Sequence, residues 1–328
     1  MSVDQFPLGL ADLRVPAGAH IAFPYRDERE RAPFLLACIK AGLENCEKCL
    51  AAVIEYSPDF WVQALGEIGI AAEPLLGKQL VVWGPRDVLG DRTMSIRSSP
   101  AGMLKMADDA VREGWRGLRV CTSMNLFLQN PKTLEATLEA EAEICRLIER
   151  RSTLRVCTLN ERGLEPSVLD LCLQTHSLVF AGNELRRNAD YVEPDDYLRR
   201  LSGNLRKLAG AGAIHPPFAG LDFADDTPVL KVTGEMDIFT APQVEDLGMS
   251  LALVGHKRLV IDLSSAPFLD AAAISTILRI RNAAQSKGGR VAIYDPESPL
   301  RRIFEIIHLD EVVPIRHTFE EALREVEI

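Results

Sequence analysis

The 328-residue sequence lacks long apolar runs, an excess of basic residues and an ordered set of cysteines. No apolar run approaches the roughly 18 residues that a membrane helix needs, and the first ten residues do not resemble a secretory signal. The formal net charge is −10 and neither half is basic, which argues against a nucleic-acid-binding surface. The seven cysteines are odd in number and scattered, which is not the pattern of a disulfide framework. We therefore expect a cytoplasmic protein with reduced thiols and without a membrane or nucleic-acid partner.

The sequence also lacks the common motifs of catalysis. A phosphate-binding loop needs converging glycine amides and a lysine, but Phe23–Arg31, which follows the first predicted strand, contains no glycine. Neither G-x-S-x-G nor H-E-x-x-H occurs. Cys46 and Cys49 form a Cys-x-x-Cys pair, but no second pair or histidine stands at zinc-ligand spacing. We expect no catalytic residues, no ATP hydrolysis, no cofactor and no metal site.

Short apolar segments alternate with amphipathic segments through the first half of the chain. Uniformly apolar strands that alternate with helices predict a mostly parallel sheet covered on both faces, in an α/β fold. The length favours a second domain. The predicted strands are His20–Tyr25, Cys49–Ile54, Gln79–Trp83, Leu118–Cys121, Leu154–Leu159 and Ser177–Phe180.

The most informative stretch of the second half runs from Leu259 to Ser275. It reads as a buried strand, a turn at Pro267 and a helix that begins at Asp270. The carboxylate of an aspartate at this position can accept hydrogen bonds from the free amides of the first helical turn. A second helix start is predicted at Thr240, with Gln243 three residues later as in a capping box.

Four features of the second half together resemble the STAS family of anti-sigma-factor antagonists: Gly234-Glu-Met-Asp237, Thr240-Ala-Pro242, Asp262-Leu-Ser264 and the helix start at Asp270. The resemblance covers residues 226–328 and implies a small α/β domain without catalytic chemistry. It further implies that an anti-sigma factor or another kinase-type regulatory protein binds around the helix that the aspartate opens. The predicted partner-binding residues are Asp237, Ser264, Ser265, Asp270, Ala271, Ala272 and Ser275.

The chain departs from this family at the phosphorylation site. In most members a Ser or Thr follows the aspartate, usually within Asp-Ser-Ser-Gly, and is phosphorylated. Here the same positions read Asp270-Ala-Ala-Ala273, and no nearby serine occupies the family position. Three alternatives remain open: the domain binds permanently, it is regulated by the first half of the chain, or it is modified elsewhere.

The first half resembles the MEDS sensory domains of methanogens and methylotrophs. The resemblance rests on Gly18–Tyr25, Gly42–Cys49, Gly117–Val120 and Leu173–Ser177. It implies a RecA/KaiC-like sheet domain without a phosphate-binding loop, and a role in sensing a ligand or stress. The chain departs from the family at Ser123-Met-Asn125, where members often carry Glu-Met-Ser. We expect a sensory domain at 1–194, a helical linker at 195–225 and the STAS domain at 226–328.

Polar residues near strand ends are the candidates for ligand binding, because open α/β sheets hold ligands at the carboxyl ends of their strands. Cys121 and Cys157 are predicted to line one pocket with Asn125, Thr158 and Asn160. The other candidates are His20, Tyr25 and His176. Buried thiols and structural histidines are the alternative interpretation.

These observations favour a signalling protein in which a sensory domain controls a STAS output. The alternative is an enzyme for a small molecule with a STAS regulatory appendage, which an acid–base pair in the first domain would support. A small-molecule ligand and a homodimer are both compatible with the sequence.

Overall fold

The computed structural model describes residues 5–89, 99–214, 218–296 and 300–327. The chain divides into two compact units. The first comprises Met1–Ile54 and Trp61–His215, and the second comprises Glu55–Phe60 and Pro216–Ile328. Among the residues that the structure describes, none of the helices combines the length and the hydropathy required to cross a membrane.

The first unit is built on a seven-stranded sheet with the order β5-β4-β6-β7-β3-β8-β9. All neighbouring strands are parallel except β8 and β9, and β1 and β2 form a separate antiparallel pair. The strands are β1 (Gln5–Pro7), β2 (Arg14–Pro16), β3 (Ala19–Tyr25), β4 (Lys48–Ala52), β5 (Leu80–Val82), β6 (Leu118–Ser123), β7 (Thr153–Asn160), β8 (Leu178–Ala181) and β9 (Glu184–Arg187).

Helices cover the central strands of this sheet, whose residues are buried almost without interruption. Burial on both faces explains why these strands read as continuous apolar segments, and the predicted parallel α/β architecture is confirmed. The helices are α1 (Glu28–Glu44), α2 (Pro58–Glu67), α3 (Pro85–Leu89), α4 (Pro100–Arg112), α5 (Asn125–Leu128), α6 (Leu134–Ile148), α7 (Pro166–Leu173) and α8 (Pro194–Gly210).

The second unit contains a five-stranded sheet with the order β10-β11-β12-β13-β14. Its strands are parallel except for the antiparallel pair β10 and β11. The elements are β10 (Ala219–Ala224), β11 (Thr227–Thr233), α9 (Ala241–Leu253), β12 (Arg258–Ser265), α10 (Ala271–Ser286), β13 (Arg290–Tyr294), α11 (Arg301–Ile306), β14 (Ile315–Arg316) and α12 (Phe319–Val326).

The segment predicted as a linker, 195–225, differs from that expectation. Its helix α8 packs in the core of the first unit, where Tyr197, Leu201 and Leu205 join the apolar residues of α6 and α7. The Tyr197 hydroxyl donates to the carbonyl oxygen of Leu171 at 3.0 Å. The last residues of the predicted linker form β10, which pairs with β11 in the second unit. Only residues around 211–218 lie between these elements, and 215–217 fall outside the described residues.

This division predicts where a stable fragment of the second unit can begin. A fragment of residues 218–328 should unfold cooperatively. A fragment of 226–328 lacks β10, exposes the edge of β11 and loses the buried side chain of Leu221. It should be less stable by about 2 kcal/mol or more, the usual cost of losing one large buried side chain. Urea denaturation followed by circular dichroism measures the difference. Equal midpoints and slopes would contradict the assignment of β10 to this unit.

Candidate functional sites

The start of α10 is held by the carboxylate of Asp270. Its Oδ1 accepts the backbone N–H groups of Ala272 and Ala273 at 2.8 and 2.9 Å, as predicted for a capping residue. Its Oδ2 accepts the N–H of Ile238 at 3.0 Å, and its own N–H donates to the carbonyl of Met236 at 3.1 Å. One side chain therefore fixes the first turn of α10 to the loop that precedes α9.

That loop is ordered further by Asp237. Its Oδ1 accepts the N–H groups of Phe239 and Thr240 at 2.9 and 3.1 Å. These hydrogen bonds, led by the one from Phe239, lower the pKa of the Asp237 carboxyl. The predicted capping box at Thr240 is wrong. The Thr240 hydroxyl accepts the N–H of Asp237 at 2.9 Å and donates to the carbonyl of Glu235 at 2.9 Å. It therefore bonds within the loop and makes no capping bond to α9.

The ordered loop presents large apolar side chains to solvent around Asp270. Phe239 is 83% exposed, Ile238 is 65% exposed and Phe268, in the turn before α10, is 44% exposed. Clustered exposed apolar side chains of this kind mark interaction sites. We call Ile238, Phe239, Phe268 and the Asp270-capped start of α10 the apolar loop surface. Residue-by-residue reasoning on the sequence missed the three apolar residues, although their place in short loops outside any helical or strand period was a usable signal.

The other residues predicted to bind a partner lie at the same end of the domain. Ser264 and Ser265 are exposed at the end of β12, and the carbonyl of Ser265 accepts the N–H of Gly234 at 2.9 Å. Ala271 is exposed and Ala272 is half-buried. Ser275 is exposed, and its hydroxyl donates to the carbonyl of Ala271 at 2.9 Å. The predicted set is therefore contiguous along the loop and the first turns of α10.

The capping role of Asp270 predicts a stability difference between two substitutions. Asp270→Ala removes the acceptor of three backbone N–H groups and should lower the free energy of unfolding by about 1–2 kcal/mol. Asp270→Asn keeps an amide oxygen that can cap the helix, and should cost less than half as much. Urea denaturation of fragment 218–328 measures both values. Indistinguishable stabilities for the two variants would contradict the capping account.

The first unit contains a second group of interest, which we call the buried polar cluster. It consists of His20 on β3, Glu141 on α6, Arg155 and Cys157 on β7, and His176 before β8, all buried. Nε2 of His20 lies 3.2 Å from both Cys157 Sγ and Glu141 Oε2. Cys157 Sγ lies 3.3 Å from Glu141 Oε2, and His176 Nε2 lies 3.7 Å from the same oxygen. The strand order β7-β3-β8 brings these residues together.

Arg155 determines the charge state of this cluster. Its Nη2 donates to Glu141 Oε1, and its Nε donates to Cys157 Sγ at 3.3 Å. Burial raises the pKa of the Glu141 carboxyl, but the charge of Arg155 and the hydrogen bond from His20 outweigh burial and keep the pKa below its ordinary value. Burial lowers the pKa of His176 to about 3 and raises the pKa of the Cys157 thiol well above its ordinary value. At neutral pH, His176 is therefore neutral and the Cys157 thiol is protonated.

The cluster contains a thiol, an imidazole and a carboxylate, but the geometry does not support nucleophilic catalysis. A catalytic triad needs the nucleophile on one ring nitrogen and the carboxylate on the other. Here both Cys157 and Glu141 contact the same nitrogen, Nε2 of His20. The raised pKa of the thiol also disfavours the thiolate, which is the reactive form.

The structure places Cys121 away from the other candidates. The β6–β7 register pairs Cys121 with Val156 and Thr122 with Cys157, so the two cysteines point to opposite faces of the sheet. The predicted common pocket for Cys121 and Cys157 is therefore wrong. Cys121 Sγ instead lies 3.8 Å from Cys38 Sγ on α1.

Tyr25 and Asn125 lie at the carboxyl ends of their strands, as predicted. The Tyr25 ring is buried, and the Arg31 guanidinium lies 4.6 Å from its centroid. Asn125 accepts the N–H of Asn160 on its side-chain oxygen at 2.9 Å, which joins the ends of β6 and β7. Of the six candidates, the cluster thus unites His20, Cys157 and His176. It adds Glu141, whose place on the apolar face of α6 was the signal that sequence reasoning missed.

A pocket adjoins the cluster on the Glu141 side. Its cavity volume is about 40 Å³, room for about two or three water molecules. Its lining is mostly apolar, with the Glu141–Arg155 pair as the charged part. Small-molecule sites share this composition, but their volumes of about 300–1,000 Å³ are larger. The other lining residues are Ala52, Trp83, Val88, Met103, Val120, Thr122, Met124, Phe127, Thr137, Ala140 and Ile144.

Comparison with known families finds one matching model in each half of the chain. The family model of MEDS, the methanogen/methylotroph, DcmR sensory domain, matches residues 19–177, and the STAS domain model matches residues 221–322. Both predicted resemblances are confirmed. The RecA/KaiC-like detail of the first domain stays a prediction.

Three relatives are each similar to about a third of the chain or less. A Thermotoga neapolitana protein assigned by homology as an anti-sigma factor antagonist is 32% identical over 73 residues, which are 22% of this chain and 65% of that protein. The anti-sigma F factor antagonist of Paenibacillus polymyxa is 26% identical over 102 residues, 30% of this chain and 86% of that protein. The crystal structure of an anti-sigma factor antagonist from Mycobacterium paratuberculosis is 28% identical, with a TM-score of 0.30, and covers 33% of this chain and 92% of that chain.

Proposed function

The chain carries a MEDS sensory domain followed by a STAS domain, and we propose that it is a signal-transduction protein rather than an enzyme. In this proposal the STAS domain binds an anti-sigma factor or another kinase-type regulatory protein. The first domain senses a small molecule and controls that binding. The observation that carries the proposal is the apolar loop surface, which lies where the STAS resemblance predicts partner contact.

The physical form of the surface supports a binding role. The carboxylates of Asp270 and Asp237 accept five backbone N–H groups and fix the loop before any partner arrives. A fixed loop loses less conformational entropy on binding than a flexible one. Phe239 and Phe268 supply exposed aromatic area, which is often the main source of affinity at interfaces. The surface thus combines rigidity with apolar anchors.

Control by phosphorylation at the family position is ruled out by chemistry, because Ala271 and Ala272 have no hydroxyl group. Of the three alternatives, we favour regulation by the first half of the chain. The supporting observation is the small, largely apolar cavity beside the buried polar cluster, which a ligand would have to widen in order to enter. The enzyme alternative has no comparable support, since the thiol, imidazole and carboxylate of the cluster are not arranged for catalysis.

The partner surface is tested by changing aromatic side chains on it. Phe239→Ala and Phe268→Ala should each weaken binding to the cognate anti-sigma factor about tenfold, because each removes an anchor worth roughly 1.4 kcal/mol. Ile306→Ala is the matched control. Ile306 is 66% exposed on α11, and its loss should leave the affinity unchanged. Isothermal titration calorimetry against the anti-sigma factors of the same host measures the three variants. Equal effects of all three would place the interface elsewhere.

The missing phosphate switch gives a separate prediction. Incubation of the unaltered chain with its kinase-type partner and ATP should add no phosphate to α10 and should leave binding unchanged. Ala272→Ser should accept phosphate and then bind more weakly, because a phosphoserine adds about 1.5–2 negative charges beside the apolar loop surface. Mass spectrometry locates the phosphate and calorimetry measures the affinity. Phosphate on another residue of the unaltered chain, with loss of binding, would instead support modification elsewhere.

A further inference from the structure

We propose that the buried polar cluster of the first unit binds one divalent transition-metal ion, with zinc(II) as the preferred metal. His20, Glu141, Cys157 and His176 each offer one ligand atom, and these atoms all lie within 4.8 Å of one another. All four side chains are buried. They come from distant parts of the sequence, which is why the search for ligand spacing in the sequence did not find them. The inference is independent of the partner-binding role of the STAS domain.

Four of the six distances between the ligand atoms are close to those of a tetrahedral site, and all six are within 4.8 Å. Ligand atoms bonded to zinc at about 2.0–2.3 Å stand about 3.3–3.8 Å from one another. The corresponding distances are 3.2 Å from His20 Nε2 to Cys157 Sγ, 3.2 Å from His20 Nε2 to Glu141 Oε2, and 3.3 Å from Cys157 Sγ to that oxygen. His176 Nε2 lies 3.7 Å from Glu141 Oε2. Small shifts of the four side chains would therefore suffice to coordinate an ion.

The tautomer of His176 provides an independent indication. Its Nδ1 lies 2.9 Å from the carbonyl oxygen of Cys172. A carbonyl oxygen can only accept, so Nδ1 carries the proton and Nε2 of the neutral ring carries a lone pair. This buried Nε2 has no hydrogen-bond partner among the described residues, and it faces the carboxylate oxygen of Glu141. Glu141 Oε2 accepts from the Cys157 thiol and faces Nε2 of His20, so it has no proton to offer the lone pair of His176. A cation bound between these atoms would satisfy that lone pair.

Two of the four ligands, His176 and Glu141, are oriented by their neighbours as in a metal site, whereas Nδ1 of His20 has no partner among the described residues. Metal-bound histidines usually donate their second N–H to a carbonyl or carboxylate, and metal-bound carboxylates are themselves hydrogen-bonded. Here the Cys172 carbonyl orients His176, and Arg155 holds Oε1 of Glu141 while Oε2 faces the cluster. Zinc binding would displace the thiol proton of Cys157 to solvent. A zinc ion with one thiolate and one carboxylate is neutral overall, so the charge of Arg155 would be the only net charge left in the cluster.

The donor set selects the class of metal. Magnesium and calcium prefer oxygen ligands, whereas two imidazoles, one thiolate and one carboxylate suit zinc. Four protein ligands make a closed site, which is typical of zinc that holds structure rather than zinc that activates water. The site would join β3, β7, α6 and the segment before β8 beside the pocket, and the ion would stabilise that arrangement.

The experiment uses the full chain without an affinity tag, treated with a chelator under reducing conditions and titrated with cobalt(II) chloride. The expected result is binding of one cobalt ion per chain. It should give the visible bands of a tetrahedral site and a thiolate-to-cobalt charge-transfer band, both removed by zinc(II) chloride. Cys157→Ser should abolish the charge-transfer band and weaken cobalt binding at least about 100-fold, beyond the usual loss from a residue that only orients a ligand. Cys121→Ser, a buried thiol on the opposite sheet face, should change neither.

Tetrahedral bands that are absent from the folded unaltered chain, or that survive unchanged in Cys157→Ser, would overturn the proposal. A second measurement needs no variant, in case Cys157→Ser does not fold. Alkylation of the unaltered chain with N-ethylmaleimide, followed by peptide mass spectrometry, should show that zinc(II) chloride slows labelling of Cys157 more than labelling of Cys121. Labelling of Cys157 that zinc does not slow would also overturn the proposal.

Discussion

The large sheet of the first unit carries a buried ion pair on each face. A charged side chain that is buried away from water needs a partner of opposite charge, and this requirement constrains how the helices of the unit pack on the sheet. On one face Arg119 of β6 bonds Glu47 at 2.7 Å. On the other, Arg155 of β7 bonds Glu141 of α6. Loss of one partner from such a pair costs about 3–5 kcal/mol, because the remaining charge stays buried. The pairs therefore fix the neighbouring α1–β4 and α6 segments against the sheet.

The pair on the α6 face also connects structure to the proposed sensing role. Glu141 and Arg155 belong both to the buried polar cluster and to the lining of the adjoining pocket. In the proposed sensing role, a ligand that widened this pocket would meet an apolar surface with one charged pair. If it changed the hydrogen bonds of that pair, it would also change the packing of α6 against β7. A ligand shifts a conformational equilibrium only through such a difference in binding between two states.

Local patterns in the sequence predicted much of the fold. The central strands β3, β4, β6 and β7 were predicted because burial on both faces makes them almost continuously apolar. Asp270 was predicted because a helix cap accepts from amides two and three residues away. The short strands β1, β2 and β9 were missed because they mix apolar residues with polar residues or proline, whereas β5 and β8 are equally short but wholly apolar, and were predicted. The position of helix α8 in the sequence was predicted, but its packing was not. An apolar side predicts that a helix packs against a core, but it does not show which of two cores that is.

Features that depend on the order and register of strands could not be predicted. Cys121 and Cys157 both lie late in apolar strands, but only the pairing of Cys121 with Val156 shows that they point to opposite faces. His20 and Cys157 are 137 residues apart, and only the neighbouring positions of β7 and β3 bring them into contact. The order of the strands thus brings the candidate metal ligands together from distant parts of the chain. The apolar loop surface, by contrast, is built from two short segments of the sequence.

The central claim is that the first unit controls binding by the STAS domain without phosphorylation. The most direct test compares the full chain with fragment 218–328 for affinity toward the same anti-sigma factor, by calorimetry, after mass spectrometry has shown both to be free of phosphate. The account predicts affinities that differ at least about tenfold, a change of roughly 1.4 kcal/mol. Equal affinities, both for the protein as purified and after extraction of small molecules bound to the first unit, would contradict it.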